Sequence, residues 1–458
     1  MHIESISLES LKQSLETFWD HSARKIHLIR NEYDPAGGSP VFTSEGKYTT
    51  RGWTEWTQGF QYGAEILQFD ATGDRAFLAL GRKATLEHMA SHITHIGVHD
   101  HGFNNVSTYG ALWRLMREGR IAENDWERHF YELALKNTGA VQAARWTRIA
   151  GGGGFIYSFN GPHSLFVDTV RTLRALALSY KLGHVLHGEH DEPINLLGRL
   201  VDHARATARF NVYYGEDRDN YDIRGRTAHE AVFNTNDGHF RCPNSQQGYS
   251  PFSTWTRGLS WAMCGYPELL EFLETLDDTE LESFGGRTDI ETMMRKAAMA
   301  TCDFYIENSA ADGIPYWDTG APELHRLGDY RSKPADPYNA HEPVDSSAAA
   351  IGAQGLLRLG RYLERNGDRE MGERYRNAGL QVTRTLLDEP YLSKDDRHQG
   401  LLLHSVYHRP NRWDHIPKGH KVPCGESSMW GDYHVRELML YVWRSVKKEP
   451  YYTFYGPV

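Results

Sequence analysis

Apolar residues recur with a helical period through almost the whole of this 458-residue chain, while strand-like alternation is confined to a few short runs. The periodicity predicts twelve helices, over 7–30, 55–71, 75–96, 104–118, 123–137, 164–182, 191–209, 253–274, 288–308, 344–365, 368–387 and 427–446. Their connections are of two kinds. Short turns such as Thr72-Gly-Asp74, Gly119-Arg-Ile-Ala-Glu123 and Asn366-Gly-Asp368 close helical hairpins. Long polar segments rich in glycine and aromatic residues, over 47–54, 97–103, 150–163, 212–252, 308–343 and 390–428, lead into the even-numbered helices. Helices in successive hairpins alternate in direction, so every even-numbered helix begins at one end, and that end collects the long loops. The expected fold class is all-α, an (α/α)6 barrel of six hairpins in two concentric rings. Because each hairpin needs neighbours to bury its apolar face, residues 1–458 are expected to form a single domain. A helical solenoid would need a repeat of fixed period, and the chain has none. Loops on a rigid scaffold carry function, so the site is expected where the inner helices begin.

Composition narrows the classes of function. The formal net charge of −10 opposes a nucleic-acid or anionic-membrane partner, either of which needs a basic footprint. The four cysteines, Cys242, Cys264, Cys302 and Cys424, lack zinc or redox spacing and read as free, mostly buried thiols. The N-terminus is an amphipathic helix start without a signal-length apolar run, and no stretch approaches a membrane span, so a cytoplasmic location is expected. Aromatic residues make up 12% of the chain, which suits a carbohydrate site or an aromatic core, since amphipathic rings stack on sugars.

The stretch Gln247-Gly-Tyr-Ser-Pro-Phe-Ser-Thr-Trp-Thr-Arg-Gly-Leu-Ser-Trp261 opens the eighth helix. Ser253 or Thr254 is expected to cap it, and Arg257 and Trp261 then share one face, with Trp255 at the start. A guanidinium fork beside indoles suits a sugar acid, the fork gripping the carboxylate and the indole covering the ring. The structural alternative makes the indoles core and the arginine half of an ion pair. Gly258, Ala262 and Gly265, on the opposite side, allow close helix packing.

Carboxylates gather at the same end. Asp100 lies at the rim of the fourth helix, Asp168 about one turn inside the sixth, Asp345 at the start of the tenth and Asp432 in the twelfth. Capping explains Asp345, and Asp432 beside Trp430-Gly431 reads as structural. Asp168, inside the apolar run Leu165-Phe-Val-Asp-Thr-Val170, costs stability unless partnered or protonated, which marks it as functional. His99-Asp-His101 places its side chains on different sides of a helix, a poor metal site. Gly151–Gly154 follows no buried strand and precedes no Lys-Ser/Thr, so it is not a phosphate loop. It is expected to form a mobile flap, with Phe155, Tyr157 and Phe159 available to cover a ligand. No metal or cofactor is required.

Together, Trp56-Thr-Gln-Gly-Phe60, Thr72-Gly-Asp74, His99-Asp-His-Gly-Phe103, Asp168 in its apolar turn, Gln247-Gly-Tyr249, Trp255-Thr-Arg-Gly258 with Trp261, Asp345-Ser-Ser-Ala348 and Trp430-Gly-Asp-Tyr433 resemble the unsaturated glucuronyl hydrolases of glycoside hydrolase family 88 and their unsaturated rhamnogalacturonyl relatives. The resemblance implies the same barrel, Asp168 as catalytic acid/base and Asp100 as its partner. It also implies that Trp56, His229, Gln247, Trp255, Arg257 and Trp261 shape a pocket for an unsaturated uronate, His229 by its spacing from Gln247. Leu259 departs from the family's polar residue, and the loops at 306–343 and 389–424 are longer than expected, which bears on the leaving sugar. The expected reaction is removal of a 4,5-unsaturated uronic acid from lyase-generated oligosaccharides, with Asp168 protonating C4 and its pKa raised by burial and Asp100. The competing expectations are a conventional inverting glycosidase, a sugar epimerase using a histidine pair, and a non-catalytic carbohydrate-binding protein. The basic cluster Lys418, His420 and Lys421 reads as a solvated loop.

Overall fold

Helices dominate the computed structural model, which describes residues 1–52 and 55–456. Trp53 and Thr54, at the end of the connection leading into the second helix, lie outside the described residues. The expected helices are found in order: α1 Lys12–Glu32, α2 Gln58–Thr72, α3 Arg75–His88, α4 (His101–Asn105, Val106–Gly110 and Ala111–Arg117 in one run), α5 Asp125–Ala144, α6 (Thr169–Thr172 continued by Arg174–Lys181), α7 Leu196–Phe210, α8 Thr256–Leu273, α9 Arg287–Asn308, α10 Ser346–Arg365, α11 Arg369–Leu386 and α12 Met429–Val446.

Burial separates these helices into two kinds. All of α8, residues 346–360 of α10 and residues 429–444 of α12 are buried, whereas α7 and α11 bury one face and show a polar one. The contacts follow the same division. Helix α2 packs on α4, α4 on α6, α6 on α8, α8 on α10, α10 on α12, and α12 returns to α2. The odd-numbered helices flank neighbouring pairs, α3 touching α2 and α4, α5 touching α4 and α6, α9 touching α8 and α10, and α1 touching α12 and α2. Two glycines set the spacing, since a Cβ on Gly102 would overlap the Thr172 carbonyl and one on Gly355 that of Met263. One apolar cluster runs from Ile6 to Tyr455. No helix among the described residues is long and apolar enough to cross a membrane.

Several expectations need correction. Residues 164–166, expected as the first turn of the sixth helix, form a strand paired antiparallel with Glu230–Phe233. A short apolar run fits either element, and pairing with a distant partner decides it. Asp168 therefore sits at the N-cap position of α6 and not a turn inside. The eighth helix starts at Thr256 with no side-chain cap from Ser253 or Thr254. Gly151–Gly153 is the turn of a hairpin pairing Trp146–Arg148 with Gly154–Ile156, and of the three aromatic residues expected to cover a ligand, Phe159 alone lines a cavity. Phe155 is buried in a small separate cluster, and Tyr157 lies under the Arg145 guanidinium.

Candidate active site

The ends of the inner helices meet around a cavity of about 400 Å³, a volume suited to a small ligand. Five of the long connections contribute to its lining: Trp56 before α2, His95 to Asp100 before α4, Phe159 and Asp168 before α6, Gln246, Gln247 and Trp255 before α8, and Tyr407, His408 and Trp413 before α12. Phe103, Arg257 and Trp261 face it from the helices. The connection before α10 ends in Asp345, which accepts from Ser347 and Ala348 N–H groups as the expected N-cap and pairs with Arg257 at 3.3 Å. Asp432 has the structural role expected of it, accepting from Leu401 N, Leu402 N, Ser427 Oγ and Tyr48 Oη.

Of the residues singled out in the sequence, Trp56, Asp100, Asp168, Gln247, Trp255, Arg257 and Trp261 all line this cavity. His229 does not, but lies just behind the wall, its ring 4.3 Å from that of Phe166 and 4.8 Å from that of Trp255. The strand pairing places it there, because Val167 N donates to the His229 carbonyl next to Asp168. Its Nδ1 accepts from Gln246 N at 3.0 Å, so the proton of the neutral ring is on Nε2. That Nε2 is buried and has no partner among the described residues.

The aromatic walls are tightly joined. Trp56 stacks on Trp430 at 5.2 Å, Phe103 lies 4.7 Å from Trp261, and the Arg257 guanidinium is sandwiched between Trp255 at 4.7 Å and Trp430 at 4.8 Å. Arg257 is not the free fork that its spacing suggested. One terminal nitrogen donates to Asp345 and the Val406 carbonyl, the other to Gln247 Oε1 at 3.0 Å and the Tyr407 carbonyl at 2.9 Å. The ion-pair reading of Arg257 is thus largely right. Its charge still faces the cavity, and by occupying Gln247 Oε1 it leaves that amide's NH2 group as a donor.

The two acidic residues are joined by a side chain to which the sequence assigns no evident role. His99 Nε2 lies 3.2 Å from Asp168 Oδ1 and 3.8 Å from Asp100 Oδ1. The His99 carbonyl accepts from Gln142 of α5 at 2.9 Å and Thr172 of α6 at 3.0 Å, which pins the turn before α4 to both helices. His101 has a separate, structural role, bonded to Thr138 and the His95 carbonyl. This arrangement overturns the expected pKa of Asp168. Burial alone would raise it, but the hydrogen bond and charge of His99, with His229 and Arg257 beyond, bring it below the usual carboxylate value. Asp100 is the carboxyl pushed up, by burial first and by Asp168 as a like charge, against the pull of His99. Burial would lower His99, yet the two carboxylates hold it above the ordinary imidazole value.

The long loop at 389–424 does shape the pocket, through Tyr407, His408 and Trp413. Its aromatic density was the available signal. Lys418, His420 and Lys421 are exposed, as the solvated-loop reading has it. No cluster of three or more His, Cys, Asp or Glu side chains is placed to hold a metal among the described residues.

No family model matches the chain. It is 25% identical over 446 residues to the unsaturated chondroitin disaccharide hydrolase of Streptococcus pyogenes serotype M1, spanning 95% of this chain and 92% of that one. It is 26% identical over 416 residues to the unsaturated glucuronyl hydrolase of Bacillus sp. strain GL1, spanning 89% and 91%. Among solved structures, that of a UGL Asp→Asn variant with dGlcA-Glc-Rha-Glc superposes with a TM-score of 0.70 at 21% identity, covering 95% of this chain and 97% of that one.

Proposed function

We propose, for a chain that belongs as a distant member to the unsaturated glucuronyl hydrolases and is a glycoside hydrolase of that type, that it releases the non-reducing-end 4,5-unsaturated uronic acid from lyase-generated oligosaccharides by hydrating the C4=C5 vinyl ether. Its helices are read as one (α/α)6-barrel domain, a reading supported by the closed run of packed even-numbered helices. The observation that carries the function is the pairing of two buried carboxylates, Asp100 and Asp168, beside one histidine nitrogen in an aromatic cavity.

In this reading Asp168, protonated in the complex, gives its proton to C4, and positive charge develops at C5 and the ring oxygen. Water adds to C5 and returns a proton to Asp168, with Asp100 orienting it. The C5 hemiketal then opens, and the hemiacetal left at C1 expels the second sugar. Net consumption is one water. The Gln247 NH2 group is the donor for the uronate carboxylate, backed by His229 behind the wall and in the field of the Arg257 charge, which acts without a direct grip. Trp255 or Trp261 covers the flattened ring, and Trp56 closes the near side.

The test is to offer unsaturated disaccharides from glycosaminoglycan and from pectin in parallel, with the saturated counterparts as controls. Loss of the ultraviolet absorbance of the conjugated double bond together with release of the second sugar is expected for at least one unsaturated substrate and for no saturated one. The preferred disaccharide separates a glucuronyl from a rhamnogalacturonyl hydrolase. Cleavage of the saturated controls would instead make Asp168 and Asp100 the acid and base of an inverting glycosidase.

A further inference from the structure

We propose that His99 is a positioning residue of the acid–base machinery: it holds Oδ1 of Asp168, leaves Oδ2 to act on the substrate, and shares one proton with that carboxyl. The inference rests on the reading of Asp168 as the acid.

The geometry gives His99 few other duties. Its ring is 1% exposed and is walled by Phe159, stacked at 6.0 Å, and Phe166, edge-on at 5.6 Å. Nε2 faces both site carboxylates, while Nδ1 is buried with no partner among the described residues. A buried polar atom without a partner calls for an explanation, and an ionisable role is one of those available to a histidine that faces two carboxylates. The charged and titratable groups that act on the ring are Asp100, Asp168, Arg145, His203 and His229, with Arg257 acting on Asp168.

Two arrangements of one proton are then available across a single existing hydrogen bond: imidazolium with Asp168 carboxylate, and neutral imidazole with Asp168 carboxylic acid. The resting site, where the Arg257 charge pulls on Asp168, favours the first. An arriving uronate carboxylate offsets that pull and disfavours a second anion beside it, which favours the second. The proton passes from Nε2 to Oδ1, and a half-turn of the carboxyl about Cβ–Cγ carries that oxygen to the substrate side in place of Oδ2 and presents the acid to C4. After water adds, Asp168 recovers a proton and the pair is restored, so nothing beyond one water is consumed. This removes the conflict between a resting Asp168 that is anionic and a reaction that needs it protonated.

A shared proton makes the pair titrate as one unit. The alkaline limb of activity then belongs to the pair, and deleting one of its two proton sites can only move that limb to lower pH. His99→Gln keeps a hydrogen-bond donor but cannot carry the proton, so its alkaline limb is expected to shift down by about one unit, roughly the spread seen among carboxyl and imidazole groups in proteins. His99→Leu is expected to lose kcat further, with Gln giving partial rescue. The direct test is NMR of the histidine-labelled protein, with His99 assigned from His99→Gln. The ring is expected to titrate above ordinary imidazole, to fall back in Asp168→Asn, and to lose its proton on addition of glucuronate near neutral pH. A His99 that stays neutral from pH 5 to 9, or titrates identically in Asp168→Asn, overturns the proposal. So does an unmoved alkaline limb in His99→Gln. The NMR readout needs no turnover, so absence of activity on every unsaturated disaccharide would sink the reaction assignment, while the titration of His99 would still decide whether the proton is shared.

Discussion

Asp168→Asn is expected to lower kcat by about 10³-fold or more, the upper range for removal of a positioned general acid, with little change in KM. Asn keeps the shape of the carboxyl and can still meet His99 Nε2 through its amide oxygen, so the fold and cavity should persist. What it lacks is a transferable proton. Circular dichroism of the variant should match the parent, and steady-state kinetics on the preferred unsaturated disaccharide should show the loss. Substantial turnover by Asp168→Asn would remove Asp168 from the chemistry, whatever the role of Asp100.

The second large effect is on stability. Arg257→Met should destabilise the protein by about 3–5 kcal/mol, the cost of breaking a buried ion pair by removing one partner. The change strips Asp345 of its cation and leaves the Val406 and Tyr407 carbonyls and Gln247 Oε1 without their shared donor. Gln247 and Tyr407 line the cavity, so activity falls with the fold. Arg257→Lys cannot rescue it, because one ammonium cannot reproduce two forked nitrogens held between Trp255 and Trp430. Denaturant unfolding is the measurement. A raised KM with unchanged stability would instead restore the free-fork reading, in which Arg257 binds the substrate carboxylate directly.

Much of this arrangement is legible in the sequence because it rests on local signals. Helical periodicity and the alternation of short turns with long loops give the order of the helices and the end at which the cavity forms. Asp345 is read correctly because helix starts have strong local chemistry, whereas Asp432, also read as structural, takes its partners from positions 48, 401, 402 and 427. The misplacements around Asp168 and Arg257 come from pairing between residues far apart in the chain. Residues 164–166 become a strand only because 230–233 lie beside them, and that same pairing sets His229 next to Asp168. Likewise, the partners of Arg257 come from positions 247, 345, 406 and 407, which no spacing rule relates. The pKa of Asp168 escapes a sequence reading for the same reason. Its apolar neighbours are adjacent in sequence, whereas the histidine that outweighs them is 69 residues away.

Running the reaction in deuterium oxide asks whether the C4=C5 bond is protonated on the enzyme before the second sugar leaves. The product isolated as it forms is expected to carry one deuterium at C4, in a single configuration, appearing at the rate of sugar release. A product whose C4 deuterium is spread over both configurations, or that gains it only after the second sugar has been released, would contradict the account and place bond cleavage at the anomeric carbon.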